Sequence, residues 1–205
     1  KHGNNKKIEI QLRTRIQHYW ATALEIVDLF TDQALKSNQG DPVWKSFFFH
    51  VSNQFSVMDQ IHIFESMDDG KRLQAYFNEI KNNEELWLSC VESKKFIKKL
   101  KVIKKLSAFA GSLQVVEERL NETPETSYAL LKIDTTKMLL TTTLFAKDEN
   151  KDAENQYIEE EKKAAKKENL VVALVSSSSV GGIKEAYPNY FADSSEFMRY
   201  MGLID

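Results

Sequence analysis

The 205-residue chain has few of the residues that make turns and cross-links, with three prolines, seven glycines and one cysteine. So little proline and glycine excludes collagen-like and low-complexity proteins, and with 28% charged residues it indicates a protein rich in solvated helix. The lone Cys90 excludes a disulfide framework and a zinc site built from several cysteines. These features favour a globular protein from a reducing cytoplasm.

Long apolar runs and an excess of one charge are also missing. The uncharged run from Leu170 to Ile183 has about 14 residues, fewer than the roughly 20 that a membrane-spanning helix needs. The formal net charge of −2 gives no overall attraction to nucleic acid or anionic lipid, so electrostatic binding would need a local patch. We therefore predict a cytoplasmic protein without a membrane segment.

The first part of the chain changes from a period of two to a helical period. Apolar and polar residues alternate over 8–13, which predicts a half-buried strand. Apolar residues then recur every three or four positions, which predicts a helix from Arg15 to about Lys36. A second helix is predicted from Pro42 to about Glu65, because Asp41 can cap it and proline suits a first turn.

The middle of the chain has the pattern of further helices. Asp68 to Gly70 predicts a turn, and Lys71 to Asn121 predicts two or three helices with breaks near Asn82-Asn83 and Ser107.

The last part mixes strands and helices. The predicted order begins with a hairpin of two strands, Tyr128–Ile133 and Met138–Phe145, and a charged helix, Asp148–Glu168. A buried strand, Leu170–Val175, and two short helices, Ser176–Ala186 and Ser194–Leu203, follow. The fold class predicted is α/β (α+β), in three regions: 1–66, a helical segment 67–123, and a small α/β module 124–205.

The first strand carries a ladder of polar side chains. Glu9, Gln11 and Arg13 lie two residues apart, so on a strand they share one face at intervals of roughly 6.6 Å. A solvated strand face is the ordinary meaning of such a pattern. However, His18, Thr22 and Glu25 form a polar stripe on the helix that follows, and the two stripes could meet in one cleft. A carboxylate that can hold Mg²⁺ beside an arginine that can grip phosphate is suited to phosphoryl transfer.

The segment Ile8-Glu-Ile-Gln-Leu-Arg-Thr14, followed by Gln17-His-Tyr-Trp-Ala-Thr22 and Glu25, closely resembles the RelA/SpoT nucleotidyltransferase family, which makes alarmones. The match runs from Ile8 to about Phe30 and corresponds to the second half of the family's signature. The family's first-half motifs, for ATP, a metal-binding aspartate and a base-stacking tyrosine, do not occur in this sequence. We therefore expect a fragment that starts just after that half and is inactive alone.

The resemblance implies a role for each polar residue of the signature. Glu9 would help to hold Mg²⁺ and would activate the attacking hydroxyl, while Gln11 and Arg13 would shape the nucleotide and phosphate pocket. His18 and Glu25 match signature positions on the helix, where they would either contact ligand or join strand to helix by hydrogen bonds. The implied reaction transfers pyrophosphate from ATP to a 3′-hydroxyl.

Two later features resemble RelA/SpoT proteins with a C-terminal extension, including fused toxin–antitoxin proteins of the CapRel type. These are residues 34–37 with the region after Trp44, and the Tyr-x-x-Tyr motif of Tyr187 and Tyr190. The resemblance implies that a C-terminal pseudo-zinc-finger module silences the toxin by placing this motif in the adenine pocket, with a phage protein as the trigger. Thr126 to Asp205 holds no Cys and no His, which agrees with a module that lacks metal ligands. The alternative is that both tyrosines simply pack on the final helix.

A run of lysines lies between the signature and the C-terminal module. It contains no acidic residue, and as a helix it would turn Phe96, Leu100 and Ile103 inward. The lysines are Lys94, Lys95, Lys98, Lys99, Lys101, Lys104 and Lys105. A solvated helix face is the commoner meaning of such a run. Binding of tRNA phosphates is the functional alternative.

Three functions follow from these features. The first is an ATP-dependent pyrophosphokinase that modifies the 3′-CCA end of tRNA as a toxin and is inhibited by its own C-terminal module. The second keeps the fold and uses GDP or GTP as acceptor, which would make a small (p)ppGpp synthetase. The third is a module that senses a protein partner, with this fragment inactive as an enzyme.

Overall fold

The computed structural model describes residues 12–31, 35, 40–123, 125–167, 169–186 and 188–205, without the side chains of 182, 183 and 186. Within these ranges the chain forms eight α-helices and one three-stranded sheet, so the predicted α+β class is confirmed. The helices are α1 Arg15–Thr31, α2 Pro42–Gln60, α3 Asp69–Ile80, α4 Glu84–Leu100, α5 Val102–Glu122, α6 Asn150–Ala164, α7 Ser177–Ala186 and α8 Tyr190–Ile204. The strands are β1 Thr126–Asp134, β2 Leu139–Ala146 and β3 Leu170–Ser176.

Helix α1 begins at the predicted residue, Arg15, and follows the predicted apolar stripe. Ile16, Val27 and Phe30 are buried in the core as the spacing requires. The structure describes α1 as far as Thr31, and residues 32–34 and 36, over which the predicted helix would continue, lie outside the described residues; the Leu35 N–H donates to Asp28 Oδ1 (2.6 Å).

Helix α2 begins as predicted. Asp41 Oδ1 accepts a hydrogen bond from the Val43 N–H (2.7 Å), and Pro42 occupies the first turn. Five apolar residues at helical spacing are buried on one side of the helix, namely Trp44, Phe48, Val51, Phe55 and Met58. The helix stops at Gln60, before the predicted Glu65, because the chain turns through a left-handed Ile63 (φ 53°) into a 3-10 turn over Phe64–Ser66.

Two breaks in the middle of the chain differ from the prediction. Asp68 does not belong to a turn; its side chain accepts the Lys71 N–H (2.9 Å) and caps α3. The break at Asn83 is confirmed, because its side chain caps α4 through the Leu86 N–H. The predicted break near Ser107 is wrong: Ser107 lies inside α5, and the break occurs at Lys101, which adopts the left-handed conformation (φ 53°, ψ 42°).

The sheet is antiparallel throughout, in the order β2-β1-β3, and the predicted hairpin of β1 and β2 is confirmed. Alternate residues of β3 face opposite layers. Val171 joins the main core, and Val172 joins a smaller cluster with Leu130, Phe145 and Ala153 under α6. Helices thus cover both faces of β3, which explains its continuous apolar run.

Helix α8 starts at Tyr190, four residues before the predicted Ser194, and packs against α1 and α5. Phe197 and Tyr200 are almost completely buried. The Phe197 ring centre lies 5.3 Å from that of Phe55, and Tyr200 stacks on Tyr19 (5.9 Å). A single hydrophobic core therefore includes residues from all three predicted regions. Helix α5 ends at Glu122, at the predicted boundary, and the division into domains stays a prediction.

Candidate functional site

A cleft of about 410 Å³ lies between α1 and α2. Its lining combines apolar, hydroxyl, amide and charged side chains, namely Arg13, Ile16, Gln17, Trp20, Ala21, Ser52, Phe55, Ser56 and Asp59. Arg13 belongs to the signature, so this cleft is the candidate functional site.

The start of α1 is fixed by a reciprocal pair of hydrogen bonds. The Thr14 N–H donates to Gln17 Oε1 and the Gln17 N–H donates to Thr14 Oγ1, both at 3.2 Å. This is a capping box with glutamine at its third helical position. The pair holds Arg13 just outside the helix, at the edge of the cleft. The predicted start of the helix at Arg15 is confirmed, and the spacing Thr-x-x-Gln in the sequence gives its physical reason.

The opposite wall comes from one stripe of α2. Ser52, Ser56 and Asp59 are spaced by four and three residues, so they share a helical face. Asp59 Oδ2 accepts a hydrogen bond from Gln17 Nε2 (3.4 Å), which links the two walls. None of these three residues was predicted to line a site, although their polar spacing within an apolar helix is a signal in the sequence.

Trp20 and Phe55 form the apolar floor of the cleft. The half-buried Trp20 donates from its indole nitrogen to the Phe48 carbonyl (3.4 Å) and packs edge-on against the Phe48 ring (5.7 Å). Phe55 is buried in the main core. This floor gives the cleft a surface on which a ring or ribose can pack.

His18 lies on another side of α1. Its Nε2 atom is 3.1 Å from Asp193 Oδ2 on α8. The half-buried Glu25 lies about two turns farther along the helix and does not line the cleft. The structure therefore does not bring His18 and Glu25 together with Arg13, while Glu9 and Gln11 lie outside the described residues. Two roles were predicted for His18, contact with a ligand or a hydrogen bond that joins two elements. The contact with Asp193 corresponds to the second role, but it joins α1 to α8 and not to the strand.

Tyr190 is a buried residue at the first turn of α8. Its hydroxyl donates to Glu117 Oε2 on α5 (3.3 Å), and Glu117 also pairs with Lys184 of α7. Burial, followed by the negative charge of Glu117, raises the pKa of Tyr190 above its ordinary value. Tyr187 lies outside the described residues. Tyr190 is thus packed on α5 rather than presented to the cleft.

The lysine run spans two helices rather than one. Before the turn at Lys101, Leu100 is buried and Phe96 is half-buried, as predicted. The turn changes the helical register, so Ile103 is exposed and its predicted inward position is wrong. Lys94 donates to the backbone oxygen of Asp205 (3.2 Å), and Lys98 lies 3.6 Å from its carboxylate.

The other lysines of the run differ in their surroundings. Lys95 pairs with Glu92 (2.5 Å), and the Lys105 ammonium lies 5.8 Å from the centre of the Trp44 ring. Lys99, Lys101 and Lys104 are exposed. Binding of RNA phosphates by this run stays a prediction.

The described residues do not by themselves make a magnesium site. Among the residues that line the cleft, Asp59 is the one carboxylate, and it is bonded to Gln17. No group of three or more His, Cys, Asp or Glu side chains in the described ranges is arranged to hold a metal ion. Glu9, to which the resemblance assigns Mg²⁺, lies outside these ranges. The same ranges contain no helix with the length and hydrophobicity needed to cross a membrane.

No protein-family model matches the chain, and no curated protein matches it. The resemblance to the RelA/SpoT family therefore stays a prediction that rests on the signature residues.

Proposed function

We propose that the chain belongs to the RelA/SpoT-type pyrophosphotransferases, whose second-half signature it carries, and that the cleft between α1 and α2 binds the phosphate-bearing part of a nucleotide. The observation that carries this proposal is the position of Arg13. This residue, which the resemblance assigns to the nucleotide and phosphate pocket, lines a cleft together with the hydroxyl-bearing Ser52 and Ser56.

The chemistry of the lining supports this choice of ligand. A guanidinium group binds phosphate oxygens through two parallel hydrogen bonds, and serine hydroxyls add donors. Trp20 and Phe55 offer the apolar surface that a base or ribose needs. In the proposed reaction, ATP transfers its β,γ-pyrophosphoryl group to a 3′-hydroxyl and leaves as AMP. We propose tRNA as the acceptor, for which the exposed lysines at the junction of α4 and α5 are the supporting feature.

The contact between α1 and α8 supports control by the C-terminal module. His18, a signature residue, bonds to Asp193, so a change in the position of α8 acts directly on the signature helix. We propose that this docked arrangement is the inhibited one and that a protein partner, such as a phage protein, releases it. A ligand that shifts α8 against α1 must bind the shifted form more tightly than the docked form by several kcal/mol.

The first experiment measures ATP binding to two arginine variants. Arg13→Ala should weaken binding by about tenfold to a hundredfold, because one charged contact to phosphate is lost. Arg15→Ala is the matched control, since Arg15 points to Glu65 (3.5 Å) and does not line the cleft. Equal losses in the two variants, or no loss in Arg13→Ala, would contradict the assignment of the cleft.

The second experiment follows γ-labelled ATP with the full-length protein and bulk tRNA, or with GDP and GTP. Label on tRNA supports the toxin, label on guanine nucleotide supports the (p)ppGpp synthetase, and no label on either supports the partner-sensing module. Glu9→Gln should abolish transfer without unfolding the protein, and retained transfer would contradict the role of Glu9. Asp193→Asn, which weakens the contact with His18, should increase the label if α8 inhibits.

A further inference from the structure

A second groove, of about 630 Å³, runs along β3 between the last turn of α1 and helix α6. We call it the β3 groove. It is lined by Asp28, Leu29, Phe30, Thr31, Tyr157, Glu161, Ala164, Ala165, Leu170, Val171, Val172, Ala173, Leu174 and Ser179. Five consecutive residues of the strand therefore border the groove, over roughly 17 Å at the usual rise of a strand.

The strand that borders the groove is an outer strand of the sheet. In the part of the chain that the structure describes, β3 pairs with β1 on one side and with no strand on the other. An outer strand directs alternate N–H and C=O groups away from its neighbour, and proteins usually protect such an edge with charge or proline. Residues 170–176, Leu-Val-Val-Ala-Leu-Val-Ser, contain neither. The edge is therefore chemically ready to pair with another strand.

The groove has acidic walls. Its lining contains two carboxylates, Asp28 and Glu161, and no basic side chain. Asp28 Oδ1 accepts the Leu35 N–H (2.6 Å), and Glu161 Oε1 accepts the Tyr157 hydroxyl (3.0 Å). A carboxylate offers about four acceptor sites, so one such bond leaves room for a lysine or arginine of a ligand. The charge of the groove thus favours a basic occupant.

We propose that the β3 groove binds an extended, basic segment of a partner protein, which adds to the sheet as a fourth strand beside β3. Main-chain hydrogen bonds to β3 supply affinity, as in other cases where a peptide extends a sheet. Side chains of the added strand alternate between the α1 face and the α6 face, so apolar side chains pack on Leu29 of α1 while basic side chains reach Glu161 of α6. This inference does not depend on the proposed nucleotide cleft.

The test uses a fluorescently labelled peptide of alternating lysine and valine, with its ends blocked, and measures binding to the full chain by fluorescence polarisation. Glu161→Lys should weaken binding by about tenfold, because an attractive charge becomes repulsive. Glu154→Lys is the matched control: it makes the same charge change on an exposed residue of α6 that does not line the groove, and it should change binding less than twofold.

Two further peptides separate strand addition from simple charge attraction. A peptide of alternating lysine and proline has the same charge but lacks half of the N–H donors, and one of alternating glutamate and valine reverses the charge; neither should bind comparably. Hydrogen exchange should slow in residues 170–176 when the lysine–valine peptide binds.

Four results would overturn the proposal. They are equal binding of the lysine–proline peptide, equal losses in Glu161→Lys and Glu154→Lys, protection of β2 instead of β3, and no saturable binding of the lysine–valine peptide. A dimer that forms through β3 without peptide would show that the occupant of the groove is a second copy of the chain. That result would also overturn the proposal.

Discussion

Helices α6 and α8 have the same length, 15 residues, and belong to the same predicted C-terminal region, but they relate to the core in opposite ways. Helix α8 buries seven residues, namely Tyr190, Asp193, Ser194, Phe197, Tyr200, Met201 and Ile204. Helix α6 buries only Ala153 and Ala164 and lies on the outer face of the sheet. Apolar contact with distant helices, rather than length or position in the chain, therefore decides which helix the fold depends on.

Polar contacts strengthen the same difference. Helix α8 and Asp205, which follows it, form hydrogen bonds to four other helices. The pairs are Asp193 with His18 of α1, Arg199 with Asp69 of α3, Asp205 with Lys94 of α4, and Tyr190 with Glu117 of α5. Truncation before Thr126 would remove all of these contacts together with the buried rings. Point substitutions are therefore the appropriate way to test whether α8 inhibits the proposed activity.

The largest effect is expected from Phe197→Ala. The side chain is fully buried next to Phe55, so its removal should lower the free energy of unfolding by about 3–5 kcal/mol. Urea denaturation measures the loss. Phe191→Ala on the same helix is the control, because Phe191 is half exposed, and it should cost about 1 kcal/mol or less. Similar losses in the two variants would show that α8 is not packed as described.

The next largest effect is expected from Arg72→Met, which tests the contact between α3 and α8. The buried guanidinium donates to the carbonyls of Phe64 (3.1 Å) and Glu65 (2.5 Å) and lies 5.3 Å from the Tyr200 ring centre. Removing this donor should cost about 2–3 kcal/mol, because at least one buried carbonyl loses its partner. Lys71→Met changes an exposed neighbour and should leave the urea midpoint almost unchanged.

Tyr190→Phe tests the start of α8 at alkaline pH. At pH 7 the loss of the hydrogen bond to Glu117 should cost about 1 kcal/mol. Because burial and Glu117 raise the pKa of Tyr190, the wild-type phenol stabilises the fold below its ordinary pKa of about 10 and loses this contribution as the pH rises further. The variant should therefore lose less stability than the wild type above pH 10. An identical alkaline slope in both proteins would contradict the contact.

The smallest effect is expected from Glu160→Gln on α6. Hydrogen bonds from Lys163 and then Lys132 lower the pKa of Glu160, so its contribution to stability is present above the ordinary value of roughly 4.3 and fades as the pH falls through the lowered pKa. Thermal unfolding should show a slightly lower midpoint for the variant at pH 7 and no difference at pH 2. Glu154→Gln is the control. An equal shift of the unfolding midpoint in both variants would contradict a specific role of Glu160.

The sequence predicts the local features of this fold well. The cap of α2 by Asp41, the hairpin of β1 and β2, and the buried stripe of α1 each depend on residues close together in the chain. The break at Lys101 was missed because a left-handed lysine leaves no glycine or proline to mark it.

The candidate site was harder to predict than the fold. The sequence pattern predicts that the stripes carrying Arg13 and His18 could meet in one cleft, but His18 lies on another side of α1 from the cleft, and its partner Asp193 is 175 residues away. Contacts of that range have no local pattern in a single sequence.

The pairing of α1 with α8 also bears on how fast the protein folds. A contact between residues 175 apart in sequence requires the closure of a very long loop, and contacts of this kind slow folding. Until α8 docks, the apolar faces of α1 and α5 that it covers remain open to solvent, and chains in that state are prone to aggregate. The helix that completes the core therefore also determines how long the chain stays vulnerable during refolding.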